Sequence, residues 1–85
     1  MKTGIEQISE ERLKQISKHS YIGYKNKELL LAALTYLKKA MLNNYFNEEE
    51  TWPFKKQHFN NEGYVENLKK AGAFIAAELD RLNIN

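Results

Sequence analysis

Residues 64–82 have the sequence YVENLKKAGAFIAAELDRL, which contains the clearest helical pattern of the chain. Its apolar and small residues recur at alternating intervals of three and four, which is the spacing of a coiled-coil seam. This pattern predicts a helix from Tyr64 to Leu82. Glycine inside a helix costs about 1 kcal/mol relative to alanine, so we expect a packing or ligand-binding reason for Gly72. The residues of the predicted seam are Val65, Leu68, Gly72, Ile75, Leu79 and Leu82.

A second helix is predicted upstream, with Asn26 as its N-cap and its end near Asn43 and Asn44, because asparagines favour turns over helix interiors. One face carries apolar residues at intervals of three and four, and further apolar residues widen that face. A helix that is apolar on more than one side is central to a fold or shared with a partner. The residues of the predicted face are Leu30, Ala33, Leu34, Leu37 and Met41.

A short first helix is predicted from an N-cap at Ser9 to about Lys18, with Glu10 and Glu11 in its first turn, where acids favour the helix dipole. Its few apolar residues indicate a cover over the other helices. The segment His19–Lys25 is predicted to be a connector in which Gly23 takes a left-handed or close-approach position. These patterns predict one all-α domain over residues 1–85, with three helices and a long aromatic loop between the second and third.

Length and composition narrow the possible partners. An 85-residue chain buries only a little more than about 60% of its unfolded surface, so we expect a homodimer or larger homo-oligomer. Its 13 basic and 11 acidic residues are too balanced to favour nucleic acid as a partner. A spanning helix needs roughly 18 consecutive apolar residues, and this sequence has no such run, so we expect no membrane partner. The absence of cysteine excludes disulfides and thiolate sites. Residues 1–6 lack the apolar core of a signal peptide. From both observations we expect a cytoplasmic location.

The loop TWPFKKQHF, residues 51–59, combines aromatic rings with cations. Such a loop either covers a small core or forms a pocket, and the sequence leaves both open. Aromatic rings stack on bases and lysines neutralise phosphate, so the pocket alternative predicts a nucleotide-like ligand. The candidate ligand-binding residues are Trp52, Phe54, Lys55, Lys56, His58, Tyr64, Asn67 and Lys70.

A catalytic alternative depends on the acidic residues around the loop. The run Glu48–Glu50 together with Glu62 and Glu66 could hold magnesium, the metal of an all-α nucleotide pyrophosphohydrolase. Regularly spaced acids on facing helices are missing, however, and charge runs usually face water. The two histidines, His19 and His58, have no serine and acid arranged as a triad. We therefore assign no catalytic residue, metal or cofactor.

The run Trp52-Pro53-Phe54, followed by NLKKAGAFIAAELDRL over residues 67–82, resembles a family of small phage and prophage proteins. Those proteins carry a Trp-Pro-aromatic loop before their last helix. That helix contains Lys-Ala-Gly-Ala, then Ala-Glu and then Arg-Leu. Residues 28–36 resemble their middle helix. The similarity covers roughly residues 8–82 and departs from the family in the connector at residues 21–24. Members are mostly uncharacterised, so the resemblance implies a phage-associated helical protein more firmly than it implies an activity.

These observations lead to one predicted function and two alternatives. The prediction is a small phage-type protein that binds a nucleotide-derived ligand without catalysis, by analogy with phage proteins that sequester messengers of bacterial immunity as an anti-defence measure. The first alternative is the magnesium-dependent pyrophosphohydrolase. The second is an inhibitor that masks a host enzyme with the apolar second helix.

Overall fold

The computed structural model describes residues 1–18 and 27–83, and all regular structure in these two ranges is helical. Three α-helices are present, α1 (Gly4–Lys18), α2 (Glu28–Leu42) and α3 (Tyr64–Asn83). The loop between α2 and α3 contains three single turns of 3-10 helix, at Asn43–Tyr45, Glu48–Glu50 and Lys56–His58. The predicted three-helix, all-α architecture is therefore confirmed.

The N-cap of helix α1 is Thr3, six residues before the predicted cap Ser9, because Thr3 and Glu6 form a capping box. The Thr3 hydroxyl accepts a hydrogen bond from the Glu6 backbone N–H at 3.2 Å, and the Glu6 carboxylate accepts one from the Thr3 N–H at 3.1 Å. Two backbone donors that lack helical partners are thereby satisfied. The hydrogen bond from the Thr3 backbone also lowers the pKa of Glu6.

Helix α2 ends where its asparagines predict. Its last residue is Leu42, and Asn43 follows with φ 50° and ψ −117°, a positive φ that asparagine adopts more readily than most residues. At the other end, Lys27 has φ 77° and its side chain makes no capping hydrogen bond. The predicted cap Asn26 and the predicted connector His19–Lys25 lie outside the described residues.

The core lies between α2 and α3; on α2 it uses part of the predicted apolar face, but on α3 it does not use the predicted seam. The predicted seam of α3 is largely exposed, from 37% at Leu68 to 57% at Val65 and Leu79. On α2, Met41 of the predicted face is 66% exposed and Ala33 is buried. Both helices have a second face of small and aromatic side chains, and this face packs because small residues let two helices approach closely. The core residues are Leu29, Ala32, Ala33, Tyr36, Ala71, Phe74 and Ala77.

Helix α1 packs on α3, as its predicted role as a cover requires. Gly72 faces Ile8, and a Cβ atom added at Gly72 would lie 2.6 Å from Ile8 Cδ1. Gly72 therefore has a packing reason in this fold. Two ion pairs bind the same helices together, Arg12 to Asp80 at 2.9 Å and Lys70 to Glu11 at 3.0 Å.

Candidate ligand-binding site

The aromatic residues of the loop form one cluster with two rings of the core. Trp52 lies edge-on to Tyr36, with ring centroids 5.5 Å apart, and also to Phe54, at 5.3 Å. Phe59 stacks on Tyr36 at 4.7 Å, and Trp52 approaches Phe74 of α3 at 6.2 Å. Such edge-to-face and offset arrangements are the favourable ones for aromatic pairs. We call these five residues the aromatic cluster.

Hydrogen bonds hold the loop against α2. The Thr35 and Thr51 hydroxyl oxygens are 2.6 Å apart, and the Tyr36 hydroxyl accepts a hydrogen bond from the Asn60 N–H at 3.0 Å. The Trp52 indole N–H donates to the Lys55 carbonyl at 3.0 Å, which fixes the ring within its own loop. Burial raises the pKa of the Tyr36 hydroxyl, so this group stays neutral and serves as a fixed hydrogen-bonding partner.

The outer side of the aromatic cluster borders a pocket of about 410 Å³. That volume falls within the roughly 300–1,000 Å³ typical of small-molecule sites. Trp52, Phe54 and Phe59 are each only partly buried, because one side of the cluster packs on the core and the other lines this pocket. The loop thus does both things that the sequence left open. The pocket is lined by Glu48, Glu49, Trp52, Phe54, Lys56, Phe59 and Asn61.

The charged groups of the pocket are paired with each other or with α2. Lys56 Nζ lies 2.8 Å from a Glu49 carboxylate oxygen, and the hydrogen bond to Glu49 raises the pKa of Lys56. Glu48 accepts a hydrogen bond from the buried Lys39 at 2.8 Å, and this bond lowers the pKa of Glu48. Lys39 also donates to the Phe46 carbonyl at 2.9 Å. The pocket therefore offers aromatic faces, one ammonium group and two carboxylates.

The predicted site residues separate into a group at the pocket and a group outside it. Trp52, Phe54 and Lys56 line the pocket. Lys55 and His58 are exposed residues of the same loop but are not among the lining residues, and Lys55 contributes its carbonyl to Trp52. The remaining three predicted residues belong to α3.

Those three residues of α3 lie outside the pocket lining. Tyr64 is 64% exposed at the start of the helix. Asn67 is almost fully buried and donates from Nδ2 to Asn61 Oδ1 at 2.8 Å, while its own Oδ1 accepts from the Glu62 N–H at 3.4 Å. Because Asn61 lines the pocket, Asn67 supports the pocket wall from behind.

Lys70 belongs to a partly buried ionic cluster of α1, α3 and the loop. Its Nζ lies 3.0 Å from Glu11 and 3.1 Å from Glu62. Desolvation lowers the pKa of Lys70, but the hydrogen bonds to Glu11 and Glu62 outweigh that effect and raise it. The ammonium group is thus held by two carboxylates in this structure.

Four of the five glutamates considered for magnesium are paired with lysines. Besides Glu48, Glu49 and Glu62, whose partners are given above, Glu66 pairs with Lys69 at 3.1 Å. Within residues 1–18 and 27–83, no group of three or more histidine or acidic side chains is placed to hold a metal ion. The histidine considered for a triad, His19, lies outside these ranges.

Sequence reasoning missed several contributors to the site. Tyr36 is one of the apolar residues that widen the predicted face of α2, and its ring and hydroxyl also hold the loop in place. Asn61 and Lys39 were not singled out. The asparagine pair of residues 60 and 61, directly after the aromatic loop and before Gly63, was the available indication of a structured turn.

Comparison with known proteins adds no relative. No family model matches the chain, and no curated protein or solved structure matches it. Among the helices of the described residues, none combines the length and apolar character needed to cross a bilayer.

Proposed function

We propose that this protein binds a small nucleotide-like ligand in the pocket beside Trp52 and does so without chemical turnover. The observation that supports the proposal is the position of the aromatic cluster, whose outer rings face a pocket that also contains an ammonium group. Base stacking on aromatic side chains is worth about 1–3 kcal/mol per base and tolerates any base. Exposed aromatic faces beside a lysine therefore suit a base linked to a phosphate.

The polar groups of the pocket suggest how such a ligand is held. Asn61 offers an amide to the edge of a base, and the carboxylates of Glu48 and Glu49 accept hydrogen bonds from ribose hydroxyls or exocyclic amines. Lys56 binds the phosphate by giving up its exposed ion pair with Glu49. The loss of that pair costs little, because an exposed ion pair contributes only about 0–1 kcal/mol to stability. Two carboxylates beside one lysine disfavour a highly charged triphosphate. We therefore expect cyclic nucleotides, with one charge per phosphate, to bind more tightly than triphosphates.

The resemblance to small phage proteins extends this proposal to a biological role. The ligand in this view is a nucleotide messenger of bacterial immunity, and the protein acts in the cytoplasm of the bacterial host by sequestering it. Sequestration needs affinity and no reaction. The paired state of the surrounding glutamates suits such a role, since a binding site needs no carboxylate free for metal.

The proposal is tested by thermal shift against a panel of nucleotides and cyclic nucleotides. A ligand at 100 times its dissociation constant adds about 2.7 kcal/mol of stability, which raises the melting temperature of a domain of this size by roughly 10 °C or more.

In Lys56→Ala, we expect affinity for the same ligand to fall about 10- to 100-fold, because a charge-assisted hydrogen bond is lost. The matched control is Lys14→Ala, which removes a similarly exposed lysine from α1. Equal affinity in both variants would contradict the proposed role of Lys56.

The pyrophosphohydrolase alternative makes a distinct prediction. It requires Glu48, Glu49, Glu62 and Glu66 to exchange their lysine partners for magnesium. Release of pyrophosphate from a nucleoside triphosphate that depends on magnesium and disappears in Glu66→Gln would favour it. Binding of a nucleotide without any product over the same time supports the non-catalytic function.

A further inference from the structure

The side of the α2–α3 pair that faces away from the aromatic loop carries a row of large apolar side chains exposed to solvent. Their exposed fractions range from 37% to 66%. We call this set the outer apolar face. It consists of Leu30, Leu34, Leu37 and Met41 on α2, and of Leu68, Ile75, Leu79 and Leu82 on α3.

Helical geometry places both halves of this face opposite the loop. Successive helical residues are rotated by about 100°, so on α2 Leu37 lies about 160° from Thr35 and from Lys39, the residues that bond the loop. On α3, the four members of the face lie about 80–140° from Phe74, which contacts Trp52, and all four are rotated from it in the same direction. The loop covers one side of the helix pair, and the outer apolar face lies on the other.

No second layer of the described structure covers this face. The molecule measures 39 × 34 × 18 Å. A helix with its side chains is about 10–12 Å across, so the shortest dimension holds one layer of helices and the loop. Protein domains usually bury the apolar side of such a layer against another layer.

The distribution of side chains between inside and outside is also unusual. Within residues 1–18 and 27–83, five of the nine buried hydrophobic residues are alanines, whereas the outer apolar face consists of leucine, isoleucine and methionine. Transfer of a leucine-sized side chain out of water contributes about 1.5–3 kcal/mol, far more than an alanine can. Much of the apolar surface available to this chain is thus on the outside of one protomer.

The solvent-accessible surface area of the chain can be compared with the area expected for a folded monomer of the same mass. The chain exposes 5988 Å², whereas a folded monomer of 10.0 kDa is expected to expose about 5,200 Å². The excess of roughly 700–800 Å² is close to the about 800 Å² that each partner buries in a standard protein interface. The area that one protomer exposes beyond this expectation is therefore similar to one side of a standard dimer interface, and the outer apolar face contributes eight of the exposed large apolar side chains.

We infer that a second copy of this chain packs on the outer apolar face. The face has no charged residue among its eight members, so a fitting partner is an apolar helical surface of the same kind. A two-fold axis brings the outer apolar face of one subunit against the same face of the other subunit. The coiled-coil spacing of Leu68, Ile75, Leu79 and Leu82 suits such helix-to-helix packing. Four helices, two from each protomer, then enclose the leucines in a bundle-like core.

Mass measurement in solution tests this inference. By sedimentation or light scattering, the wild-type protein is expected to have twice the 10.0 kDa mass of the chain, or a closed multiple of that dimer. Ile75→Lys and Leu79→Lys place charges on the outer apolar face and are expected to reduce the mass to that of one chain. Leu13→Lys is the matched control, since Leu13 is 65% exposed on α1 and lies outside the face.

Two further measurements separate loss of association from loss of folding. Circular dichroism reports whether the lysine variants keep their helices. Independently of any variant, the melting temperature of the wild type is expected to fall on about hundredfold dilution, because association stabilises the folded state by mass action. A wild-type protein that sediments as single chains and melts at the same temperature at every concentration overturns the inference and assigns the face to another protein. A dimer that survives both lysine substitutions also overturns it.

Discussion

Gly72 shows how one missing side chain determines the contact between α1 and α3. Alanine at this position gains about 1 kcal/mol of helix propensity but brings a Cβ atom within 2.6 Å of Ile8 Cδ1 and 2.8 Å of Ile8 Cγ1. Overpacking typically costs about 1–3 kcal/mol, so we expect Gly72→Ala to lower the free energy of unfolding by about 1 kcal/mol. Urea denaturation measures this change.

The Ile8→Ala background provides the control for this prediction. Without the long Ile8 side chain the steric conflict is gone, and the same Gly72→Ala substitution is expected to stabilise the protein by about 1 kcal/mol. A destabilisation of equal size in both backgrounds would show that Ile8 is not the reason for the glycine.

Asn67 is the second position where one side chain determines a larger arrangement. It is almost fully buried and holds both Asn61, in the pocket wall, and the Glu62 N–H. Asn67→Ala removes both hydrogen bonds, which together contribute about 1–3 kcal/mol at about 0.5–1.5 kcal/mol each. We expect a loss of stability in that range by urea denaturation. Substitution of the exposed Asn44, as Asn44→Ala, is the control and is expected to change stability by less than about 0.5 kcal/mol.

At the scale of elements, the attachment of the loop to α2 depends on ionisation of Glu48. The hydrogen bond from Lys39 lowers the pKa of the Glu48 carboxyl in the folded protein. A group with a lowered folded pKa contributes stability above its unfolded pKa, about 4.3 for glutamate, and loses that contribution as the pH falls through the folded value. We expect wild type to melt at a higher temperature than Glu48→Gln at pH 7 and the difference to shrink below about pH 4. A constant difference from pH 7 to pH 3 would contradict this role.

The elements themselves were largely predictable from the sequence, and their packing was not. The periodicity from residue 64 and the asparagines after Leu42 located the bounds of α3 and the end of α2 to within a residue. The Thr3–Glu6 capping box was present in the sequence but was passed over in favour of Ser9. The difference between the predicted seam of α3 and its packing face has another cause. Both α2 and α3 are apolar on two sides, and periodicity cannot say which side packs within the protomer and which faces outward.

The candidate site was predictable in place but not in composition. Aromatic residues between two helices indicated the loop, and Trp52, Phe54 and Lys56 do border its pocket. Asn67 and Lys70 were chosen because they follow the loop closely in sequence. Their side chains instead make contacts within the fold, and such contacts depend on how α1 and the loop turn against α3, which a linear pattern does not contain.

The whole molecule has two surfaces with separate roles in this account. The aromatic cluster and its pocket lie on the loop side of the α2–α3 pair, and the outer apolar face lies on the opposite side. A second copy on the outer apolar face therefore leaves the pocket open. We expect Leu79→Lys to change the mass of the assembly while the affinity of the pocket for its ligand stays within about twofold, as expected for independent sites. A loss of ligand affinity that follows the loss of association would show that the partner contributes to the pocket.

Nucleotide binding at the pocket is tested most directly by a fluorescence titration of Trp52, the single tryptophan of the chain, with nucleotides and cyclic nucleotides. A base that stacks in the pocket changes the environment of the indole ring, so we expect a saturable change in emission. The titration should shift to higher ligand concentration in Lys56→Ala and remain unchanged in Lys14→Ala. If no nucleotide or cyclic nucleotide changes either the emission of Trp52 or the melting temperature, the pocket is not a nucleotide site and the aromatic cluster serves the core alone.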